Sequence, residues 1–235
     1  TAIFGVSANC QIGTGYGVGL SDGEVLLWHG TALSMVDLTP LNAIRAHGYA
    51  TTDTSQVGQV DFGNGPHAVV WQGTRESAVD LHPSWAEYSD ANAVYGNQQV
   101  GRIGFFDQND NFFVHATMSS GSAASLIDLN PTGFEHSFAT GINSNMQVGG
   151  GDGHAMVWLG SADNYIDLHA TLTGLSTTFD SSVATGIAEN GDIIGYGTDQ
   201  FGYHAIRWTR VLPEPSSMLA LGLGALLVLR RRKKS

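Results

Sequence analysis

The chain has 235 residues, 42% hydrophobic and only 13% charged, a balance that excludes a disordered polyelectrolyte. Residues 1–210 hold five Arg, no Lys and 20 acidic residues, a formal charge of −15 that repels nucleic acid and anionic lipid. The single cysteine, Cys10, leaves no internal disulfide and no Cys-based zinc cluster, and no P-loop, dinucleotide fingerprint or HExxH zinc motif occurs.

The 31 glycines are about double the usual share. Beside only six prolines, they suit many short strands and tight turns. In chain order, one strand-like motif recurs five times: Glu24-Val25-Leu26-Leu27-Trp28, His67-Ala68-Val69-Val70-Trp71, His115-Ala116-Thr117-Met118-Ser119, His154-Ala155-Met156-Val157-Trp158 and His204-Ala205-Ile206-Arg207-Trp208. An apolar-Asp-Leu triplet follows the first four: Val36-Asp37-Leu38, Val79-Asp80-Leu81, Ile127-Asp128-Leu129 and Ile166-Asp167-Leu168. The distance from the first motif residue to the Asp is 13 each time. The midpoints fall at Gly30-Thr31, Gly73-Thr74, Gly121-Ser122 and Gly160-Ser161, and Gly in that place predicts a two-residue type II′ hairpin. That register sets His67 directly across from Asp80, His115 from Asp128 and His154 from Asp167, each imidazole on a carboxylate. In the first copy it sets Glu24 against Asp37, either a protonated pair, a cation site, or a break in the register.

Each motif is preceded by two more strand signals with a polar turn between them. They include Phe4-Gly5-Val6 with Gln11-Ile12-Gly13, Tyr49-Ala50 with Gln56-Val57-Gly58, Tyr95-Gly96-Asn97 with Gln99-Val100-Gly101, Thr140-Gly141-Ile142-Asn143 with Gln147-Val148-Gly149, and Thr185-Gly186-Ile187 with Asp192-Ile193-Ile194-Gly195. The unit is therefore a four-stranded meander. Spacings of 43, 48, 39 and 50 between motifs match the period of a β-propeller blade. A β-helix has shorter coils, and a β-sandwich does not need such regular copies. The expected fold is all-β: a propeller-like array of about five repeats, near 1–40, 41–83, 84–131, 132–170 and 171–210. The last is incomplete, because 13 residues after His204 stands Ser217. The sequence opens at Thr1 without Met or signal peptide, so upstream residues are expected to supply a strand or further blades.

A His repeated at one register does one job several times, so the His–Asp pairs read as structural, and Trp28, Trp71, Trp158 and Trp208 read as packing between repeats. Trp85 lies outside the register, as a packed loop anchor or an exposed sugar-stacking ring. Asp107, Asn109 and Asn111 alternate like the start of a calcium loop, but Phe112 stands where that loop needs Gly and Met118 where it needs an acid. The bland reading is a polar hairpin tip. No cofactor is expected, and no Ser-His-Asp triad emerges, since every candidate His belongs to a repeat. Carboxylates that break the pattern are Asp53, Asp61, Glu87, Asp90 and Glu135. They are the pool for the alternative function, an extracellular polysaccharide-active enzyme with its site in the propeller channel.

The tail, residues 211–235, places Pro213-Glu214-Pro215 before an uncharged run from Ser216 to Leu229 and closes on Arg230, Arg231, Arg232, Lys233 and Lys234. The 14-residue run makes about 21 Å of helix. That is short for a bilayer unless the basic end snorkels and the bilayer thins. The cations hold that end cytoplasmic and put the body across the membrane. The tail resembles the PEP-CTERM sorting signal of exported bacterial proteins. The resemblance implies a signal peptide, recognition by an exosortase at the inner membrane through Pro213, Glu214, Pro215 and the Arg cluster, removal of the tail, and a host that makes exopolysaccharide. A cell-wall sortase signal begins like Leu212-Pro213-Glu214-Pro215-Ser216, but its Thr-Gly is missing. The body resembles the HAF family of extracellular repeats, carried by the His-Ala-x-x-Trp strand, the Asp-Leu triplet and the Gly-Ile-Asn and Gln-Val-Gly strands. Together these lead to the expectation of an exported, non-enzymatic surface or matrix protein of the biofilm. It crosses the inner membrane transiently through 216–229, and its partners are exosortase and extracellular polysaccharide or surface proteins.

Overall fold

A computed structural model of the chain describes residues 1–16, 23–173 and 178–209. The body is all-β, built from consecutive antiparallel meanders. The first sheet holds β1 (Ala2–Val6), β2 (Gln11–Gly15), β3 (Glu24–Trp28) and β4 (Val36–Asp37). The second holds β5 (Arg45–Thr51), β6 (Gln56–Asp61), β7 (Pro66–Trp71) and β8 (Val79–Asp80). The third holds β9 (Tyr88–Tyr95), β10 (Gln98–Phe106), β11 (Phe112–Ser119) and β12 (Ile127–Asp128). The fourth holds β13 (Ser137–Ile142), β14 (Gln147–Gly151), β15 (His154–Ser161) and β16 (Asn164–Asp167). The fifth holds β17 (Ser181–Ile187), β18 (Ile193–Asp199) and β19 (Gly202–Trp208), so among the described residues it has three strands rather than the four of the other sheets. No helix among the described residues is long and apolar enough to cross a membrane. The expected apolar helix at 216–229 and the sorting residues Pro213, Glu214, Pro215, Arg230, Arg231 and Arg232 lie outside the described residues.

The two-strand signal before each motif becomes a bulged hairpin. In every sheet the register of the first strand slips by one residue, at Phe4, Tyr49, Asn92, Thr140 and Thr185. The glycine of the Gln-Val-Gly element explains the slip. A Cβ on Gly13, Gly58, Gly101, Gly149 or Gly195 would lie 1.9–2.0 Å from a backbone oxygen of the first strand. Only glycine lets the bulged backbone come this close.

Four clusters of buried side chains fill the four junctions between successive sheets. The motif strand serves two of them. Val25 and Leu27 point forward into the first junction, while Val69 and Trp71 point back into it from the second sheet. Trp158 does the same at the third junction, and both indoles are fully buried. Trp208 packs on the fourth cluster and stays partly exposed. At the second junction Ser119 replaces the Trp, and its hydroxyl turns back to Gln99 at 3.2 Å.

Candidate functional site

The imidazoles and carboxylates meet in three sheets. His67 Nδ1 lies 2.8 Å from Asp80 Oδ2, His115 Nδ1 lies 2.7 Å from Asp128 Oδ2, and His154 Nδ1 lies 2.8 Å from Asp167 Oδ2. The contact is diagonal, which corrects the expected register by two residues. Asp80 stands opposite Val69, Asp128 opposite Thr117 and Asp167 opposite Met156. The residue opposite each His is thus two beyond the Asp: His82, Asn130 or His169. The rings of His67 and His82 accordingly stack with centroids 3.8 Å apart, and those of His154 and His169 at 4.5 Å. The other Asp oxygen closes a turn, accepting from the backbone N–H of His82, Asn130 or Ala170 at 2.8–3.1 Å. The intervening Leu81, Leu129 and Leu168 are buried, and each donates its N–H to the motif strand.

In the first three copies the register slips because the connections are not two-residue turns; in the fourth the two-residue turn falls at Ala162-Asp163 rather than Gly160-Ser161, behind a bulge between Trp158 and Ser161. Gly30, Gly73, Gly121 and Gly160 all have φ near +80°, as a glycine signal implies. After Gly30, Gly73 and Gly121, however, the chain makes a 3-10 turn at Ala32–Ser34, Arg75–Ser77 and Ala123–Ser125. Ser34, Ser77 and Ser125 fasten it, each hydroxyl donating to the carbonyl three residues back and accepting the N–H five back. The sequence signal for this turn is Gly-Thr/Ser-x-x-Ser. The fourth copy carries Asn164 instead of that Ser and closes tightly, Ser161 pairing with Asn164. In all four, the glutamine of Gln-Val-Gly (Gln-Ile-Gly in the first) accepts the turn glycine's N–H: Gln11, Gln56, Gln99 and Gln147, at 2.7–2.9 Å.

A second polar element, unseen in the sequence, joins sheet to sheet. Ser89, Ser137 and Ser182, each fully buried at the start of the next sheet, accept the N–H of Ala68, Ala116 and Ala155 at 2.8–3.0 Å. Ser137 donates to Asn130 Oδ1 at 2.6 Å, while Ser89 and Ser182 lie 2.9 Å from Nδ1 of His82 and His169. Burial, then the neighbouring His67 or His154, holds His82 and His169 below the usual imidazole range. At the first junction Thr39 plays this part from within its own sheet, accepting from Val25 at 2.9 Å.

The end copies depart from the pattern. Glu24 and Asp37 do not stand face to face: Asp37 is opposite Leu26, and its carboxylate takes Arg75 of the next sheet. His204 meets Asp199 of its own hairpin through Nε2, at 3.0 Å.

The remaining candidates scatter over separate local networks. Asp107 accepts four hydrogen bonds from the backbone and side-chain amides of Asn109 and Asn111, which lower its pKa, so its oxygens close the β10–β11 tip. Asp53 binds Ser7 and Asn9, and Asp61 pairs with Arg45 at 3.2 Å. Asp90 is buried, which pushes its pKa up against the pull of Arg102, 2.7 Å away. Glu87 and Glu135 are exposed. Cys10 is buried with Sγ 3.4 Å from His29 Nδ1, and burial raises its pKa, so the thiol is held protonated. Trp85 is 57% exposed and rests edge-on against Phe105. No cluster of three potential metal ligands occurs among the described residues.

Residues 211–233 match the family described as the PEP-CTERM protein-sorting motif. The motif supports an exosortase substrate and implies export through the membrane to the cell surface. No curated protein matches the chain. Among solved structures, it is similar to the crystal structure of TolB from Acinetobacter baumannii, at 12% identity and a TM-score of 0.46, over 68% of this chain and 40% of that one. The chain thus spans less than half the length of that relative.

Proposed function

We propose that the protein is a non-enzymatic surface or matrix component of the biofilm, whose propeller-like array of HAF-type repeats binds extracellular polysaccharide or another surface protein. The carrying observation is the sorting motif at 211–233 behind a body whose His and Asp side chains bind one another by the same diagonal contact in three sheets. A base that recurs in three sheets, each time tied to its own carboxylate, serves cohesion rather than turnover. The acidic body also stays clear of anionic lipid once released. Exosortase removes the tail at the inner membrane, and the body passes to the outer surface.

Intact mass of the protein from its native envelope tests the sorting. The expected result is a C-terminus within or before 211–233, and retention of the tail when Pro213, Glu214 and Pro215 are all replaced by Ala. An uncut tail in the wild type refutes it. Incubating the purified body with host exopolysaccharide tests the role: binding without chain shortening is expected, and sustained depolymerisation would establish the enzyme instead.

A further inference from the structure

The central hairpin of the third sheet outreaches its counterparts. β10 and β11 form eight residue pairs, against six for β6 with β7 and five for β14 with β15. The pairs at the far end are Phe105 with Phe113 and Phe106 with Phe112. β9 stops short of them, its last pair being Tyr88 with Gly104. Among the described residues, the four phenylalanines therefore stand on a two-stranded ribbon that no third strand flanks. Side chains alternate in direction along a strand, so one pair faces each side of the ribbon. We propose that this ribbon, with Trp85 and Tyr88 beside it, is a stacking platform for an uncharged polysaccharide. The proposal rests on the polysaccharide-binding reading above and gives it a site and a ligand chemistry.

The rings are ordered and open to solvent. On one side Trp85, more than half exposed, stands edge-on to Phe105 with centroids 5.4 Å apart, and Phe105 stacks on Phe113 at 5.9 Å. On the other side Phe106 and Phe112, 52% and 41% exposed, lie 5.0 Å apart, and Tyr88 follows at 6.1 Å. Gly104 makes room for that run: a Cβ there would lie 2.1 Å from Tyr88 Cε1 and 2.8 Å from Phe112 Cζ. The tip is braced, because the Asp107 carboxylate accepts from both Asn109 and Asn111 and its N–H donates to the Asn111 carbonyl at 2.9 Å. Rings left in water contribute little to folding, whereas a ligand with an apolar face gains the area they present.

Chemistry narrows the ligand. A pyranose has an apolar C–H face and a rim of hydroxyl groups. The rings match the first, and the amide oxygens of Gln108, Asn109 and Asn111 at the exposed tip match the second. The charges around the ribbon are Glu87, Asp107 and Asp110, while Arg102, the cation over the Tyr88 ring, is tied to Asp90 at 2.7 Å. That field disfavours uronate polymers and nucleic acid. A bilayer would have to admit Asp107 and Asp110, which lead the tip. A stable protein interface needs about 800 Å² on each partner, more than a strip of three rings supplies. One sugar unit covers one ring, and a polymer gains strength by engaging successive rings.

The test uses the full 235-residue chain and exopolysaccharide from the producing cells, separated by anion exchange into uncharged and uronate-bearing fractions. Hydroxyethylcellulose serves as a defined uncharged polymer. Affinity electrophoresis should show retardation by the uncharged polymers. Trp85→Ala, and Phe106→Ala combined with Phe112→Ala, should each weaken binding by about tenfold, the scale of one stacked ring. Tyr95→Ala, at the opposite end of β9, should bind as wild type. Adding polymer should shift tryptophan emission to the blue, and the shift should vanish in Trp85→Phe although that variant keeps a ring and still binds. Wild-type binding that all the variants share overturns the site and leaves the polysaccharide reading standing. Failure of the wild type to bind any of the polymers overturns both. Preference for the uronate fraction overturns the uncharged ligand, and binding to phosphatidylglycerol vesicles instead of polymer would make the ribbon a membrane contact and overturn the proposal.

Discussion

Replacing Ser137 with Ala removes one oxygen from a buried junction between sheets. Ser137 and Ala116 are both fully buried, so the Ala116 N–H, now 3.0 Å from Oγ, loses its acceptor. Asn130 Oδ1 loses its donor as well, while the Asn130 amide keeps its bond to the Phe134 carbonyl. A buried, unsatisfied N–H costs about 1–3 kcal/mol, and the partly buried Asn oxygen adds less, giving about 2–3 kcal/mol. With a urea m-value of about 2–3 kcal/mol/M, the midpoint should fall by about 1 M. Ser84→Ala, at an exposed loop position, should change stability by less than about 0.5 kcal/mol. Urea unfolding followed by circular dichroism measures both, and exchange of the Ala116 amide reports the junction locally. A Ser137→Ala midpoint within about 0.2 M of wild type, on that m-value, with unchanged exchange at Ala116, would refute the view that these serines fasten sheet to sheet.

Gly149→Ala should destabilise by about 3 kcal/mol or more, because its Cβ would meet the Phe138 carbonyl at 2.0 Å. Gly133→Ala, with open space but φ of +93°, should cost only about 1–2 kcal/mol, and thermal melts separate the two. Arg102→Leu leaves Asp90 buried and unpaired; discounted for the partly exposed guanidinium, the loss is about 2 kcal/mol. Adding Asp90→Asn should restore much of it in the same melts. His82 and His169 titrate below the usual 6.5 in the folded chain, so the unfolded chain binds more protons as pH falls. Their stabilisation is complete above pH 6.5 and drains as pH falls through their folded values. Urea midpoints from pH 7 to 5 should therefore decline, and the double variant His82→Asn, His169→Asn, which copies the natural Asn130, should flatten that decline.

The repeat was legible because its signals are contiguous: a motif strand, a positive-φ glycine, and an Asp-Leu at constant distance. Register was not, because a lone Gly fits a two-residue turn and a longer loop alike. Ser34, Ser77 and Ser125, which decide between them, lie four residues further on. The serines between sheets were harder still. Ser89 and Ser137 follow their motif His by 22 residues but Ser182 by 28, so no fixed offset marks them. A sheet-to-sheet bond depends on how two sheets face each other, and a one-dimensional spacing does not encode that. The first copy shows the same limit. Glu24 signalled a conflict with Asp37, but the arginine that resolves it, Arg75, sits in the next sheet.

The junctions also have a direction. Trp71, Trp158 and Trp208 reach back onto the sheet before them, and Ser89, Ser137 and Ser182 each accept a backbone proton from that earlier sheet. A newly arriving sheet therefore completes hydrogen bonds and an apolar surface that its predecessor already presents, while the predecessor needs nothing from strands still to come except this cap. A polypeptide threaded across a membrane N-terminus first can accordingly fold by accretion, each unit templated on the last. Only the growing face is exposed to misassociation at any moment.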